Sequence, residues 1–370
     1  MSRARIDALK AKWFRELPTV KPYYAVKCNP DPTLIDILRG FGFGFDCASQ
    51  RELSLMQPTD KIIYANPCKS SRDLEYAKMQ GSPITVVDSV EEITKLNTLT
   101  YEAGALLRIR VDDTGSKMPF GAKFGASMSD VKTLAKIAKQ KEVSLHGISF
   151  HVGSGSGDAR AHEKAVELAA GAIEILRGEG HNASTLDIGG GFLPDSTSFL
   201  ATSGNLRKAL ASVEDLNVIA EPGRFFAAES QDLFVQVIGK KGSPNGGFRY
   251  TLDESLYGQF TNILFDHQTP RWVRVGNDVR PRGKGVVFGR TCDSLDVIAR
   301  SDDMEELAVG DWLWFPHMGA YTTATASEFN GFPKPPVYLD ELPNKNAIMP
   351  YNSVGKIEYI EAVTASLMLR

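Results

Sequence analysis

Along the first 225 residues, short apolar runs alternate with longer amphipathic stretches. The runs are Tyr23–Cys28, Phe43–Ala48, Lys61–Asn66, Ile84–Asp88, Ala105–Val111, Leu145–Val152, Thr185–Gly189 and Asn217–Glu221. They are nearly continuous in apolar character rather than alternating, as expected of parallel strands covered on both faces. Between them, Ser129–Lys141 and Glu163–Arg177 place apolar residues at spacings of three and four, which predicts helices. Eight such strand–helix units predict a closed (β/α)8 barrel, with a doubly wound sheet as the alternative. After about residue 230 the helical period fades. DLFVQVIGKK, GGFRYTLD, GVVFGRTCDSLDVI and GDWLWFPHMGAY read as strands separated by Gly, Pro and Asn turns, a mostly antiparallel β-domain with barrel-like closure as one form. The expected division is therefore a barrel over 1–230, a β-domain over 231–335 and an extension of unassigned structure over 336–370.

Composition narrows the function classes. The chain of 370 residues is 42% hydrophobic and 24% charged, with a net charge of −3. These values suit a globular protein and disfavour disorder. No long basic stripe marks a nucleic-acid surface, and no apolar run reaches a membrane-spanning length. The charged start MSRARIDALKAKW lacks the apolar core of a secretory signal, so a cytoplasmic location is expected. Four cysteines, at 28, 47, 68 and 292, form no CxxC pair, which argues against a disulfide scaffold and a zinc site.

Barrel active sites lie at the C-terminal ends of the strands. Read in order, those ends carry Lys27, Asp46, Asn66, Asp88, Arg108, His151, the Gly189–Gly191 loop and Glu221 with Arg224. Taken singly, each has an ordinary explanation: a solvated cap for Lys27, a hydrogen-bonded core position for His151, ion pairing for Asp46 and Glu221. Their convergence on one face is what points to chemistry. Gly189, Gly190 and Gly191 in DIGGGF, Arg224 in EPGRF and Ser154 in HVGSGS suit a phosphate, although a triple glycine equally suits a tight turn. Neither a Walker A lysine nor the dinucleotide GxGxxG spacing is present. A lysine, a phosphate cradle, a ring-stacking histidine and a carboxylate suggest pyridoxal phosphate, with Lys27 forming the Schiff base and Glu221 facing the pyridine nitrogen. The competing use of a barrel lysine, a cofactor-free aldolase, leaves Glu221 and the glycine loop without a task.

The segments PYYAVKCN, FDCAS, IIYANPCK, KFGA, FHVGSGS, LDIGGGF, AEPGRFF, TCDSLD, GDW, MGAYT and FNGF follow one another in order between Leu17 and Phe332. Together they resemble the eukaryotic-type ornithine decarboxylase family of the alanine-racemase-like pyridoxal-phosphate enzymes. The resemblance implies a barrel plus a β-domain, a cofactor of pyridoxal phosphate, and decarboxylation of L-ornithine to putrescine and CO2. It implies roles by position: Lys27 for the Schiff base; Asp46 and Arg108 beside the cofactor; His151 on the ring face; Glu221 at the pyridine nitrogen. Ser154, the glycines 189–191, Arg224 and Tyr321 match phosphate ligands. Cys292 matches the thiol that returns a proton to the substrate carbon, and Asp266 and Asp293 match carboxylates that bind the distal amine. It further implies a homodimer with shared active sites, Cys292 and Asp293 being donated by the partner and Phe329 lying at the interface, and it leaves open whether antizyme binds. No metal is implied.

Two departures qualify the match. Only 26 residues precede Lys27, and they hold no counterpart of the N-terminal β-domain strand usual in the family. The run after Pro343 matches nothing recognisable, and Lys356–Val363 is a candidate substitute strand. Val111–Lys123 reads either as a mobile lid or as an ordinary connection. Competing functions are a regulatory homologue resembling the antizyme inhibitors, which lose active-site residues, and a decarboxylase of lysine, arginine or another basic amino acid. Retention of Lys27, Asp46, Arg108, Ser154, Glu221, Cys292 and Asp293 favours an enzyme. Asp266 follows the ornithine pattern, since arginine-using viral relatives carry Glu there, and Phe265 stands where many ornithine enzymes have Tyr.

Overall fold

Strands covered on both faces need no polar side, and the eight runs are built that way. The structure is a computed structural model that describes residues 1–244 and 246–340. The first part of the chain forms β1 (Lys21–Ala25), β2 (Gly44–Cys47), β3 (Ile62–Tyr64), β4 (Ile84–Val87) and β5 (Ala105–Arg108). It continues with β6 (Ser116–Met118), β7 (Leu145–Ser149), β8 (Ser154–Ser156), β9 (Thr185–Asp187) and β10 (Asn217–Ala220). All but β6 and β8 join one closed, parallel barrel in the order β1-β10-β9-β7-β5-β4-β3-β2. Lys21 opposite Ile219 closes it, which removes the doubly wound alternative. Ile63, Val86, Leu106 and Ile219 pack together inside, with Tyr23 against them. Each of the eight expected strands is present and each ends before its expected C-terminal residue, with the first beginning two residues earlier, at Lys21. β6 and β8 instead pair with each other as a two-stranded antiparallel ribbon.

The turns after β2, β3 and β4 show why helices follow the strands. The Ser49 and Ser89 hydroxyls accept the N–H groups of Glu52 and Glu92, and Ser70 makes a reciprocal capping box with Asp73. Each supplies a partner for an N–H that the helix itself leaves unpaired. The two helices read from their periodicity run over Met128–Gln140 and Ala161–Gly178.

The chain divides into a unit over Leu9–Phe226 and a second unit made of Met1–Ala8 and the residues from Ala227 onward. This corrects the expected boundary at 230 and moves the first eight residues out of the barrel domain. Polar contacts explain the move. Ser2 N–H donates to Ser230 O at 2.8 Å, and Arg5 grips the Asp232 carboxylate through both terminal nitrogens at 2.9 Å. Met1 and Arg3 bond the backbone of Tyr338 and Asp340, where Ser2 and Asp340 form a parallel bridge. The rest of the expected extension, with its candidate strand at Lys356–Val363, lies outside the described residues.

The second unit contains β11 (Leu233–Gly242), β12 (Phe248–Leu252), β13 (Val273–Arg274), β14 (Arg282–Phe288), β15 (Val297–Glu305) and β16 (Trp312–Phe315). They form one sheet in the order β13-β16-β11-β12-β14-β15, antiparallel except where β12 runs parallel to β14. Its core gathers Val235, Val237, Tyr250, Phe260, Leu313 and Phe315. The segment expected as one strand run, GVVFGRTCDSLDVI, splits in two. Asp296 is buried in its turn and accepts Leu256 N–H at 2.7 Å and the Thr291 hydroxyl at 2.6 Å, which ends β14 before Cys292.

In the first unit, Trp13 is fully buried among Phe192, Phe199, Phe225 and Phe226, with ring centroids 5.0–5.8 Å away. Its indole N–H donates to Val20 O at 3.1 Å. Trp13→Ala is expected to lower stability by about 3–5 kcal/mol, measured by chemical denaturation.

Candidate active site

Parallel strands that end on one side deliver their last residues to one mouth. Lys27 lies on the single 3-10 turn Val26–Cys28 that follows β1 directly. Its Nζ stands 3.3 Å from Oδ2 of Asp46, which β2 holds in the interior. Arg108 ends β5, and its guanidinium lies over the Phe124 ring at 5.1 Å. His151 follows β7, Gly189–Gly191 follow β9 and Glu221 follows β10. Arg224 opens toward Ser154 on β8 and donates to its hydroxyl at 3.0 Å. Lys27, Asp46, Arg108, His151, Gly189–Gly191, Glu221 and Arg224 thus lie at or just beyond the C-terminal ends of barrel strands, as do Asn66 after β3 and Asp88 after β4, while Ser154 sits on the β8 ribbon that follows β7.

Burial dominates the electrostatics. Glu221 is held well above the usual carboxylate range by desolvation and by the neighbouring Asp187 and Asp46, against a smaller pull from Lys27. Asp46 is also raised, because its burial outweighs Lys27 and Arg108. One of its oxygens, Oδ1, has no hydrogen-bond partner among the described residues. An orphaned carboxylate oxygen in the interior is costly unless a ligand or a proton meets it. His151 moves the other way: desolvation, then Arg108 and Lys27, hold its imidazole well below its ordinary value. Its Nδ1 accepts Gly153 N–H at 2.9 Å, so the ring is neutral, with any proton on Nε2.

The glycine loop is a matter of space. A Cβ on Gly189 would stand 2.2 Å from Phe150 O, and one on Gly190 would stand 2.8 Å from Glu221 O and 2.9 Å from the His151 ring. Gly189 and Gly191 also adopt φ of 63° and 100°, which side chains rarely tolerate. Two residues absent from the sequence-based assignment hold this loop. His162 donates through Nε2–H to Gly190 O at 3.0 Å and stacks on Phe192 at 4.3 Å. Asp187 accepts Gly189 N–H at 2.9 Å. The signal for Asp187 was present in the sequence, in TLDIGGG, but the glycines beside it drew the assignment. Within Val111–Lys123, β6 is tied to β8, and Phe120 packs edge-on against His151 at 4.9 Å. No sequence period marks that contact.

The remaining residues belong to the second unit. Asp293 lies on the β14–β15 turn, accepting Leu295 N–H at 2.9 Å and the Tyr257 hydroxyl; these bonds hold its carboxyl below the usual carboxylate range. Cys292 is exposed beside it, its N–H given to Asn330 Oδ1 at 2.9 Å. Phe329 is exposed and packs on Tyr257 at 4.6 Å. Asp266 is buried and accepts the Gln268 amide at 3.0 Å. Tyr321 takes a φ of 54° and accepts the Thr325 hydroxyl at its carbonyl.

Comparisons with known proteins agree with this arrangement. A family model described as "Pyridoxal-dependent decarboxylase, pyridoxal binding domain" matches residues 3–228. The chain is 43% identical to the ornithine decarboxylase of Schizosaccharomyces pombe, covering 89% of this chain and 80% of that protein. It is 37% identical to antizyme inhibitor 2 of Xenopus laevis, covering 88% and 76%. Among solved structures it resembles the arginine decarboxylase of Paramecium bursaria Chlorella virus bound to agmatine, with a TM-score of 0.87, 36% identity, and 92% and 94% of the two chains covered.

Burial brings His162 down to about 4, against about 6.5 when exposed. The unfolded chain therefore binds the extra proton first, and stability is lost as pH falls from about 6.5 toward 4. The contribution is about 3 kcal/mol. Wild type minus His162→Gln, followed by denaturation across that window, is expected to show the loss only in wild type.

Proposed function

The chain belongs to the pyridoxal-dependent decarboxylases of the ornithine decarboxylase family, and from that membership we propose that it converts L-ornithine to putrescine and CO2. The observation that carries the reading is the barrel mouth itself, where Lys27 faces Asp46 and the buried Glu221, raised above the usual carboxylate range by burial and by Asp187, follows β10.

The barrel residues fit pyridoxal phosphate. Ser154 and Arg224 already meet as an anion cradle, the glycine loop leaves backbone within reach, and Asp46 Oδ1 is an unsatisfied acceptor. When bound, the cofactor supplies an electron sink for the pair left behind as the carboxylate departs. Lys27 provides the amine that attaches it, and Asp46 holds that amine in place. Glu221 keeps a proton at the ring nitrogen. Neutral His151 covers the ring face at no cost in like charge beside Arg108 and Lys27. Arg224, Ser154, the glycines 189–191 and Tyr321 bind the phosphate. Asp266 and Asp293 bind the distal ammonium, where charge-assisted hydrogen bonds make recognition sensitive to chain length. Cys292 returns the proton to the substrate carbon. In this reading the protein works as a homodimer with Cys292 and Asp293 serving the partner's site, which suits the exposure of Phe265, Leu295 and Phe329.

The likeness to an antizyme inhibitor favours a second reading, a regulatory homologue. Intact Lys27, Asp46 and Glu221 in one mouth speak for the enzyme. Purified protein supplied with pyridoxal phosphate is expected to release CO2 from ornithine faster than from lysine or arginine; a folded protein that releases none supports the regulatory reading. Lys27→Ala is expected to lose covalent attachment of the cofactor after borohydride reduction, read by mass spectrometry. Cys292→Ala is expected to retain cofactor, lose at least tenfold in putrescine formation and give misprotonated products, read by product analysis.

A further inference from the structure

The glycine loop is wedged between two neighbouring segments of the first unit. A Cβ on Gly191 would stand 2.7 Å from Gly153 O, and one on Gly190 would stand 2.8 Å from Glu221 O. The loop thus lies between the segment that leads to Ser154 and the segment that leads to Arg224, whose side chains meet at 3.0 Å. Its amides are not equivalent. Gly189 N–H is already given to Asp187 Oδ1 at 2.9 Å. The N–H groups of Gly190 and Gly191 reach no acceptor among the described residues, although Gly190 is buried and Gly191 half-buried. Buried backbone donors are rarely left without a partner, and successive free N–H groups make an anion-binding concavity.

His162, on the helix Ala161–Gly178, decides where one of these donors points. Its Nε2–H donates to Gly190 O at 3.0 Å. No peptide bond among the described residues is cis, and in a trans peptide the C=O and the following N–H point in opposite directions. Holding Gly190 O toward the helix therefore turns Gly191 N–H away from it. Packing alone does not account for a histidine here. An apolar ring would stack on Phe192 as well, whereas the buried His162 Nδ1 has no partner among the described residues, which costs stability. The bond from Nε2 is what the histidine adds.

We propose that His162 is a positioning residue: by holding Gly190 O, it aims Gly191 N–H at the phosphate that Ser154 and Arg224 receive. That this phosphate belongs to pyridoxal phosphate rests on the reading above; the aim at a phosphate does not.

The test titrates the cofactor-free protein with inorganic phosphate and follows the Gly191 amide by proton–nitrogen correlation NMR. In wild type the Gly191 amide proton is expected to move downfield as phosphate binds; a resonance that stays put overturns the proposal. His162→Phe keeps a ring against Phe192 and removes the donor, so phosphate affinity is expected to fall at least about tenfold. His162→Gln restores an N–H and is expected to bind phosphate within about threefold of wild type. Equal affinity in all three proteins overturns the proposal, and so does an equal loss in both variants, which marks a packing role. If His162→Phe fails to fold, His162→Asn takes its place with the same expected loss, because its shorter amide cannot span to Gly190 O. Wild-type affinity for pyridoxal phosphate against pyridoxal, read by imine absorption, is the separate check on the cofactor: a phosphate group that adds no affinity overturns the cofactor reading while the inorganic phosphate titration still decides the role of His162.

Discussion

Three carboxyl groups, Asp46, Asp187 and Glu221, are withdrawn from water at the mouth of one barrel. That is the condition on which the site depends. Desolvation of three anions is far too costly to stand uncompensated. Lys27 answers Asp46 directly, the Gly189 N–H and Ser149 hydroxyl answer Asp187, and burial beside Asp187 and Asp46 raises Glu221 toward its neutral form. A soluble scaffold gains nothing from such an arrangement, since well-packed apolar residues serve a core at least as well. A site that must hold an amine beside a phosphorylated, protonated cofactor gains from it.

The positive side of the mouth obeys the same logic. Arg108 and Lys27 stand near His151, and their charge together with burial keeps the imidazole neutral. The Gly153 N–H fixes which nitrogen is the acceptor. A neutral, oriented ring suits stacking on a flat cofactor better than an imidazolium would beside two cations. The glycine loop allows this arrangement, because side chains at 189 or 190 would drive into Phe150 O and the His151 ring.

The strand–helix alternation was legible because strands covered on both faces must be apolar throughout and because the helices between them place apolar residues at spacings of three and four. For the same reason the barrel-end residues were legible: once eight strands are counted, their C-terminal residues necessarily share a face. Asp187 was missed because a residue within a strand and a residue after it look alike until the pairing of β9 with β10 is known. His162 sits on a helix, where its spacing reads as core. The allocation of Met1–Ala8 to the second unit was hidden too, since it depends on Asp232 and Ser230, more than two hundred residues away.

By itself the sequence determined the fold class, the family and the chemical types gathered at the strand ends, because these follow from local periodicity and from residue identities. Tertiary structure decided the protonation. Whether Glu221 keeps its proton, whether His151 is neutral and which oxygen of Asp46 stays unpaired depend on burial and on neighbours brought in from other strands. Solvation and Coulomb energies vary with distances of a few ångströms, and the order of residues along a chain does not contain them until the barrel closes.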